Sequence, residues 1–353
     1  MNKLMSKNVR VLLSGVLVVA LLLAACAPGT GGSAPAQPGG DAAPAGEPVT
    51  LRFANILPPT HIQSYAILKF AELVGERSAN VTIETFLGGV LGTETEVTEA
   101  VSAGFVEMAA VGPAMDIFLP NVMTTEIPFI YRSLAHARAV LHDPRFIELT
   151  TIGAEEANVV PLGYDPGGFR VTAGNRRIES MADFPGFRIR LPNLPNYIQM
   201  GEALGASFVA LPMGEVFPGL EQGVIDGLES SVGSIIGNRW YELCDYITVT
   251  NHIFAAHIWY VNADAYRALT PEDRTIIREA FREAMEWAWL QIEDEQESGL
   301  AYMESEGLTI IWPTDAFLAD MRSSMTDVWD WFTGVAPNGR EILDRIDEVY
   351  NEM

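Results

Sequence analysis

Cysteine is almost absent from this 353-residue sequence, in which only Cys26 and Cys244 occur. Two cysteines exclude a disulfide framework and any zinc site built from several thiolates. Basic residues are also few, with 22 Lys and Arg against 46 Asp and Glu and a formal net charge of −24. Because contacts to phosphate groups require Lys and Arg, we expect no nucleic-acid partner.

The strings that mark the commonest enzyme classes are missing as well. The sequence contains no G-x-S-x-G, H-E-x-x-H, G-x-G-x-x-G or P-loop pattern. His252 and His257 are five residues apart, so on a strand they would face opposite sides and could not share a metal ion. The acidic run at residues 293–297 is best explained as the solvated face of a helix. We therefore expect no enzyme activity, no metal and no cofactor.

The chain does contain enough apolar sequence for a sizeable core. Hydrophobic residues make up 48% and charged residues 19% of the sequence, which is typical of a globular protein. At ~100–200 residues per domain, the length favours two domains.

The N-terminal residues have the features of an export signal. Lys3, Lys7 and Arg10 precede an apolar run at residues 11–25, which is shorter than the ~20 residues that a membrane-spanning helix needs. The string Leu-Ala-Ala-Cys that ends at Cys26 resembles a bacterial lipobox, which implies that this cysteine is lipidated after cleavage. A membrane anchor helix and an ordinary signal peptide with a chance cysteine are the alternatives.

Residues 27–48 consist almost entirely of Ala, Gly, Pro and Ser. This composition cannot bury a core and predicts a flexible tether. We therefore expect residues 1–26 to form a lipoprotein signal peptide and the globular part to begin at residue 49. The protein would be exported, and either lipid-anchored to the outer face of the cell membrane or periplasmic. Cys244 would then be the only remaining thiol, buried and inert by default.

From residue 49 onward, strand and helix patterns alternate. Residues 49–53 and 81–85 alternate apolar and polar side chains, as half-buried strands do, whereas residues 62–74 repeat apolar side chains at helical spacing. Further short apolar runs continue this alternation to about residue 249. The order of the elements predicts an α/β fold with mostly parallel sheets.

A long helix is predicted in the C-terminal part of the chain. Thr270 is a good N-cap, and Pro271 fits the first helical position. Apolar residues at helical spacing follow, with no Gly or Pro until Gly299. At 1.5 Å per residue, a helix over residues 271–298 would be roughly 40 Å long, which is enough to brace two domains.

Six short strings follow one another in the middle of the chain. The most specific are D-F-P-G-F-R-I-R-L-P at residues 183–192 and L-E-Q-G-V-I-D-G-L-E at residues 220–229. The other four lie at residues 88–92, 127–130, 202–207 and 212–217. Together they resemble the solute-binding receptors of TRAP (tripartite ATP-independent periplasmic) transporters, the DctP-type family. The first string is similar to that family's D-x-x-G-x-K/R-I-R-x-P signature, and the resemblance covers about residues 49–300.

The resemblance implies a two-lobed, periplasmic-binding-protein-like α/β fold, with strands that cross between the lobes and a long helix that spans both. Lobe I would comprise residues 49–167 and 256–295, and lobe II residues 168–255 and 296–353. The resemblance also implies an extracytoplasmic receptor that binds a small organic acid in the cleft between the lobes. The receptor would deliver this ligand to the small and large permease subunits of a TRAP-type secondary transporter.

Two other classes remain open. One is the substrate-binding lipoprotein of an ABC importer, and the other is a secreted enzyme. The predicted long helix and the string at residues 183–192 favour the TRAP class. Turnover of a bound ligand would indicate an enzyme instead.

In the family, one arginine of the signature binds the ligand carboxylate, and the matching position here is Arg190. A guanidinium suits this role because its planar fork meets a carboxylate through two hydrogen bonds and stays charged when buried. Arg170 matches a second arginine that often helps to hold the carboxylate. The alternatives are an ion pair between the lobes or an exposed position at a strand end for Arg190, and a hinge role for Arg170.

Glu229 and Ser230 mark a departure from the family pattern. Many acid-binding members have Asn after this Glu, and some keto-acid binders have Trp there together with a bound cation. Ser230 fits neither pattern and leaves the surroundings of the ligand's far end undefined.

Four further side chains are candidates for the ligand site. Met213, Phe217 and Trp259 could form walls of a pocket, although residues of these types at such spacings are more often core. His61 follows the first strand, at the edge where ligand sites of α/β folds lie. A loop histidine can equally cap a helix or stabilise a turn.

Overall fold

The computed structural model describes residues 48–353. The predicted signal peptide, Cys26 and all of the predicted tether except Pro48 lie outside these residues. The described part of the chain contains eleven strands and twelve α-helices, together with short 3-10 helices. None of these helices is both long and apolar enough to span a membrane.

The strands and helices alternate along most of the chain. The strands are β1 (Val49–Ala54), β2 (Val81–Phe86), β3 (Met108–Val111), β4 (Val159–Tyr164), β5 (Arg170–Gly174), β6 (Ile189–Leu191), β7 (Val209–Ala210), β8 (Gly227–Ser231), β9 (Tyr246–Thr248), β10 (Ile258–Asn262) and β11 (Thr309–Ile311). The helices are α1 (Ile62–Arg77), α2 (Glu94–Ala103), α3 (Leu134–Leu141), α4 (Pro144–Thr150), α5 (Pro195–Ala203), α6 (Val216–Glu221), α7 (Val232–Gly237), α8 (Ala263–Ala268), α9 (Pro271–Ser305), α10 (Asp315–Ser324), α11 (Thr326–Val335) and α12 (Gly339–Glu352).

The first lobe is built on a sheet of five strands in the order β2-β1-β3-β10-β4. β1 is parallel to β2 and β3, and α1 and α2 connect these three strands, as the predicted alternation of strand and helix requires. β10 lies antiparallel to both β3 and β4. The side chains of Leu51 and Phe53 on the central strand β1 are fully buried, so this sheet forms the centre of the core.

The second lobe is built on a sheet of six strands in the order β11-β9-β5-β8-β6-β7. Its outer pairs are parallel, but β5 is antiparallel to both β8 and β9. Both sheets are therefore mixed rather than mostly parallel as predicted. The chain leaves the first sheet after β4 and returns through β10, and it enters the second sheet at β5 and leaves it after β9. β4 and β10 are therefore neighbours that run in opposite directions, and so are β5 and β9.

The two segments that cross between the lobes are hydrogen-bonded to each other. The Gly167 N–H donates to the Ala255 carbonyl (2.8 Å), and the Ala255 N–H donates to the Gly168 carbonyl (2.9 Å). A Cβ at Gly167 would lie 2.9 Å from the Ala255 oxygen, and Gly168 has a φ of +85°. Glycine is required at position 167 because the two crossing strands approach closely, and at position 168 because the backbone is left-handed there.

Helix α9, which has 35 residues, is the third connection between the lobes. It packs against α1 of the first lobe and α7 of the second. Its start is as predicted, since the Thr270 hydroxyl accepts a hydrogen bond from the Asp273 N–H (3.1 Å). The helix continues beyond the predicted end at residue 298. Gly299 lies against Val232, where a Cβ would be only 2.4 Å from Val232 Cγ1, so this glycine permits close packing of α7 and does not end the helix.

The C-terminal helices pack on the body of the protein. α11 contacts α5, and α12 contacts α3 and α4. The buried side of α12 carries Ile342, Ile346 and Val349, and Arg345 on this helix pairs with Asp143 (2.8 Å). Helices α3 and α4 belong to the segment that the sequence analysis assigned to lobe I, whereas α12 was assigned to lobe II. The lobe boundary at residue 296 stays a prediction.

Candidate functional site

A cavity of about 530 Å³ is lined by residues of both lobes, and we call it the interlobe cavity. Gln63 of α1, Glu94 of α2 and Glu126 line it from the first lobe. Arg170 of β5 and Arg190 of β6 line it from the second. A ligand in this cavity would therefore contact both lobes at once.

Arg190 is a buried cation with free hydrogen-bond donors. Only 3% of the residue is exposed, and its Nε donates to the Leu211 carbonyl (2.8 Å). Its two terminal nitrogens form no hydrogen bond with any residue between 48 and 353. Burial lowers the pKa of Arg190 to about 10, so the guanidinium stays charged at neutral pH. The two terminal nitrogens can thus donate to an anion in the interlobe cavity.

Arg170, in contrast, is paired with a carboxylate within the protein, although its Nη1 forms no hydrogen bond with residues 48–353. Its Nε donates to Glu229 Oε2 (2.6 Å), and its Nη2 donates to Glu229 Oε1 (2.7 Å) and to the Glu229 carbonyl (3.0 Å). Burial alone would raise the pKa of Glu229, but the charge of Arg170 and these hydrogen bonds lower it to about 2. The pair is neutral as a whole, whereas Arg190 forms no ion pair with any residue between 48 and 353.

Several further groups fix the Arg170–Glu229 pair. The Nε2 atom of His252 lies 3.3 Å from Glu229 Oε2, and its Nδ1 lies 2.8 Å from the Thr250 hydroxyl. The Arg170 guanidinium carbon lies 5.0 Å from the centre of the Tyr197 ring, which is a favourable cation–π distance. This network gives Arg170 little freedom to reorient toward a ligand.

Glu94 and Glu126 line the interlobe cavity and were not selected in the sequence analysis. Glu94 Oε1 accepts a hydrogen bond from the Gly112 N–H (2.8 Å), and Glu126 Oε2 accepts one from the Tyr197 hydroxyl. Burial raises the pKa of both carboxyl groups, that of Glu126 to about 7. Glu94 follows the string at residues 88–92 and Glu126 directly precedes the string at residues 127–130, so these strings offered a signal for both.

Four further side chains were candidates for the ligand site. Among the residues that the structure describes, Met213 is the only one of these four that lines the interlobe cavity. Phe217 on α6 packs against the apolar core of the second lobe instead. Trp259 lies in the core of the first lobe, where its ring meets Phe53 edge to face at 4.8 Å and its Nε1 donates to Asp165 (2.5 Å). The structure thus places both aromatic candidates outside the cavity, because each is part of a core.

His61 and Ser230 also lie outside the set of residues that line the cavity. His61 is the N-cap of α1, and its Nδ1 accepts a hydrogen bond from the Gln63 N–H (3.2 Å). Its Nε2 therefore carries the proton and donates to the Ser231 hydroxyl of the second lobe (3.2 Å). Ser230 is buried on β8, and because it follows Glu229 in the strand it points to the opposite face of the sheet.

No three His, Cys, Asp or Glu side chains converge as a metal site anywhere in residues 48–353. His252 contacts Glu229, whereas His257 lines the interlobe cavity. Burial lowers the pKa of His257 to about 3, so its ring is neutral. Cys244 is buried, and burial raises the pKa of its thiol to about 12.

Two lobes joined by crossing strands, with a cavity between them and a buried, unpaired guanidinium in that cavity, define a solute-binding protein. The profile of the family described as bacterial extracellular solute-binding protein, family 7 (DctP) matches residues 53–334, and the chain belongs to this family. The family and the fold class predicted from the sequence are confirmed.

Relatives and solved structures agree with this family. The 2,3-diketo-L-gulonate-binding periplasmic protein YiaO of Escherichia coli is 26% identical over 308 residues, which cover 85% of this chain and 92% of the relative. A TRAP periplasmic solute-binding protein from Desulfovibrio desulfuricans with bound sn-glycerol-3-phosphate is 26% identical, with a TM-score of 0.82 and coverage of 86% and 97%. One from Desulfovibrio salexigens with bound orotic acid is 25% identical, with a TM-score of 0.81 and coverage of 86% and 99%. These similarities do not favour the ABC-importer alternative.

Proposed function

We propose that this protein binds a small organic acid in the interlobe cavity and delivers it unchanged to a TRAP-type secondary transporter. The observation that carries the proposal is the state of Arg190, a buried guanidinium whose terminal nitrogens have no partner in residues 48–353. A buried charge without a partner is costly, and a ligand carboxylate would remove that cost. Arg170, which Glu229 neutralises and holds in place, would line the site beside Arg190.

The relatives support an acid as ligand. The E. coli relative is named for 2,3-diketo-L-gulonate, and the D. salexigens protein holds orotic acid. Both ligands are carboxylic acids. A ligand that contacts Arg190 on one lobe and Gln63 or Glu94 on the other would stabilise the closed arrangement of the lobes.

The remaining parts of the proposal concern the location of the protein, its partners and the absence of enzyme activity. We propose that Cys26 carries a lipid anchor, that residues 27–48 tether the receptor to the outer face of the membrane, and that the two permease subunits of a TRAP transporter are its partners. The support is the lipobox-like string and the composition of the tether. The protein would have no enzyme activity, so its ligand should be recovered unaltered after binding.

Binding of carboxylates tests this function directly. The full-length protein is unfolded and refolded to remove carried-over ligand, and its melting temperature is measured with a panel of small carboxylates and their amides. A bound acid at 100 times its dissociation constant should stabilise the protein by ~2.7 kcal/mol. The amides should have no effect, because they lack the charge that Arg190 would bind.

Substitution of Arg190 gives the first mutational prediction. Arg190→Ala should weaken binding by on the order of 2–5 kcal/mol, and Arg190→Lys should also weaken it because the planar fork is lost. Arg188→Ala is the matched control, since this exposed arginine pairs with Asp226 outside the cavity. If Arg190→Ala binds the acid as tightly as the wild type does, the assignment of the anchor is wrong.

A further inference from the structure

Two carboxyl groups of the interlobe cavity take no part in holding Arg170 or Arg190. Glu94 and Glu126 both line the cavity, and neither forms an ion pair with any residue that the structure describes. Each is oriented by a neutral donor instead, Glu94 by the Gly112 N–H and Glu126 by the Tyr197 hydroxyl. Glu126 Oε1 has no hydrogen-bond partner in residues 48–353, so it remains available as an acceptor.

The two carboxyl groups meet beside Gly112. A Cβ at this residue would lie 3.2 Å from Glu94 Oε1, 3.3 Å from Glu126 Oε1 and 2.9 Å from His257 Cδ2. The absence of a side chain at Gly112 therefore allows the three groups to converge. The wall that the first lobe and the crossing strand contribute presents two carboxyl groups and a neutral imidazole, and all of them can accept hydrogen bonds.

The charges in the cavity match a ligand with one anionic group. Glu229 compensates Arg170, which leaves Arg190 for one carboxylate. The cation that acts on Glu126 is Arg170, whose charge is offset by Glu229. The other titratable groups around Glu126 are Glu94, Tyr197 and His257, whose ring is neutral. A second anionic group on the ligand would therefore lie beside like charges, where burial strengthens the repulsion.

We infer that the interlobe cavity selects a hydroxy acid with a single anionic group, and that Glu94 and Glu126 exclude a second one. The inference rests on the proposed function, because it presumes that Arg190 binds the ligand's carboxylate. Hydroxyl groups at the far end of the ligand supply the hydrogens that Glu94 and Glu126 accept, whereas a second carboxylate supplies none. Glu94 and Glu126 thus favour a ligand with hydroxyl groups by accepting hydrogen bonds from it, and they disfavour a ligand with a second carboxylate by repelling it.

Matched pairs of sugar acids test the selection. Gluconate and glucarate, galactonate and galactarate, and mannonate and mannarate differ within each pair only in that a terminal CH₂OH group is replaced by a carboxylate. Calorimetric titration of the full-length protein at about pH 8, where Glu126 is ionised, gives both dissociation constants. We expect at least one aldonate to bind and its aldarate to bind at least about tenfold more weakly.

The double variant Glu94→Gln, Glu126→Gln should reduce this discrimination to less than about threefold, because neutral amides keep an acceptor oxygen but lose the repulsion. The matched control is Glu99→Gln, Glu202→Gln, which removes two exposed carboxylates on α2 and α5 and should keep the wild-type ratio. Retained binding of the aldonate shows that the cavity of each variant is intact. The single variants provide the same comparison if the double variant does not fold.

The outcomes separate this inference from the proposed function. Equal binding of an aldonate and its aldarate by the wild type would overturn the inference and leave the carboxylate receptor in place. Tighter binding of an acid without hydroxyl groups, or of a zwitterionic amino acid, would overturn it as well. Failure of every acid in the panel to bind would contradict the proposed function itself.

Discussion

Arg170 and Arg190 are neighbours in the cavity, yet their surroundings prepare them for different tasks. The carboxylate of Glu229 meets Arg170 through two hydrogen bonds of 2.6 and 2.7 Å, and both side chains are buried. A guanidinium held this way is fixed in position, and the carboxylate offsets its charge. Arg190 uses only Nε within the described chain and keeps its terminal nitrogens for a ligand. The two arginines differ because Glu229 on β8 pairs with Arg170 and not with Arg190.

Removal of the carboxylate charge from Glu229 should destabilise the protein strongly. Glu229→Gln would leave the Arg170 guanidinium buried without a counter-charge, and we expect the free energy of unfolding to fall by about 3–5 kcal/mol. Denaturant-induced unfolding of the ligand-free protein measures this change. Glu179→Gln serves as the control, because Glu179 pairs with Arg177 at an exposed site and its loss should matter much less. A similar loss of unfolding free energy for both variants would mean that the buried ion pair stabilises the protein no more than the exposed one does.

At the scale of single residues, the sequence allowed some assignments and not others. Arg190, Arg170 and Met213 were selected from short strings, and all three line the cavity. Glu94 and Glu126 are separated by 32 positions, and their approach depends on the missing side chain at Gly112. No local pattern in the sequence encodes such a convergence.

Among the elements, α7 has a direct part in the contact between the lobes. This short helix of the second lobe lies against the loop before α1 of the first lobe. A Cβ at Gly237 would lie 2.6 Å from Pro58 Cγ and 2.9 Å from Thr60 Oγ1. A proline ring cannot move aside like the end of a flexible chain, so even a methyl group at Gly237 would hold the two lobes apart.

Gly237→Ala should therefore weaken ligand binding more than it affects the ligand-free protein. Overpacking of this kind costs about 1–3 kcal/mol, which corresponds to roughly 5- to 150-fold weaker binding if the cost falls on the closed state. Titration calorimetry with the identified acid gives the affinity, and thermal unfolding without ligand gives the stability. Gly75→Ala in α1 is the control, since a Cβ there would meet no atom within 4 Å. Unchanged affinity of Gly237→Ala would show that α7 and the loop do not need to touch when ligand is bound.

Helix α9 illustrates which features of an element are local. Its start was predicted because Thr270, Pro271 and the apolar spacing are all contained in one stretch of sequence. Its end was missed because Gly299 looks like a stop signal, whereas Val232 of α7 packs where a side chain would be. The directions of the strands were missed for a similar reason, since they depend on where the chain crosses between the lobes.

The whole molecule is strongly acidic, and its buried carboxyl groups connect stability to pH. Burial raises the pKa of Glu126 from its ordinary value of 4.5 to about 7. The folded protein therefore retains a proton that the unfolded chain releases, and stability decreases as the pH rises from about 4.5 to about 7. Glu229 acts in the opposite direction over a different range, because its pKa of about 2 removes stability only as the pH falls below about 4.5.

Glu126→Gln should make the dependence of stability on pH less steep, while Asp165 and Glu295, whose pKa values burial also raises to about 7, continue to titrate. The shift of the Glu126 pKa corresponds to on the order of 3 kcal/mol between about pH 4.5 and about pH 7, and a glutamine cannot titrate. Unfolding free energies of the ligand-free wild type and variant, measured across this range, give the difference in slope directly. Glu99→Gln removes one negative charge from an exposed site of the same lobe and should leave the slope as in the wild type. Parallel curves for the wild type and Glu126→Gln would mean that Glu126 is ionised throughout this range, and that the cavity wall is negatively charged even in acidic solution.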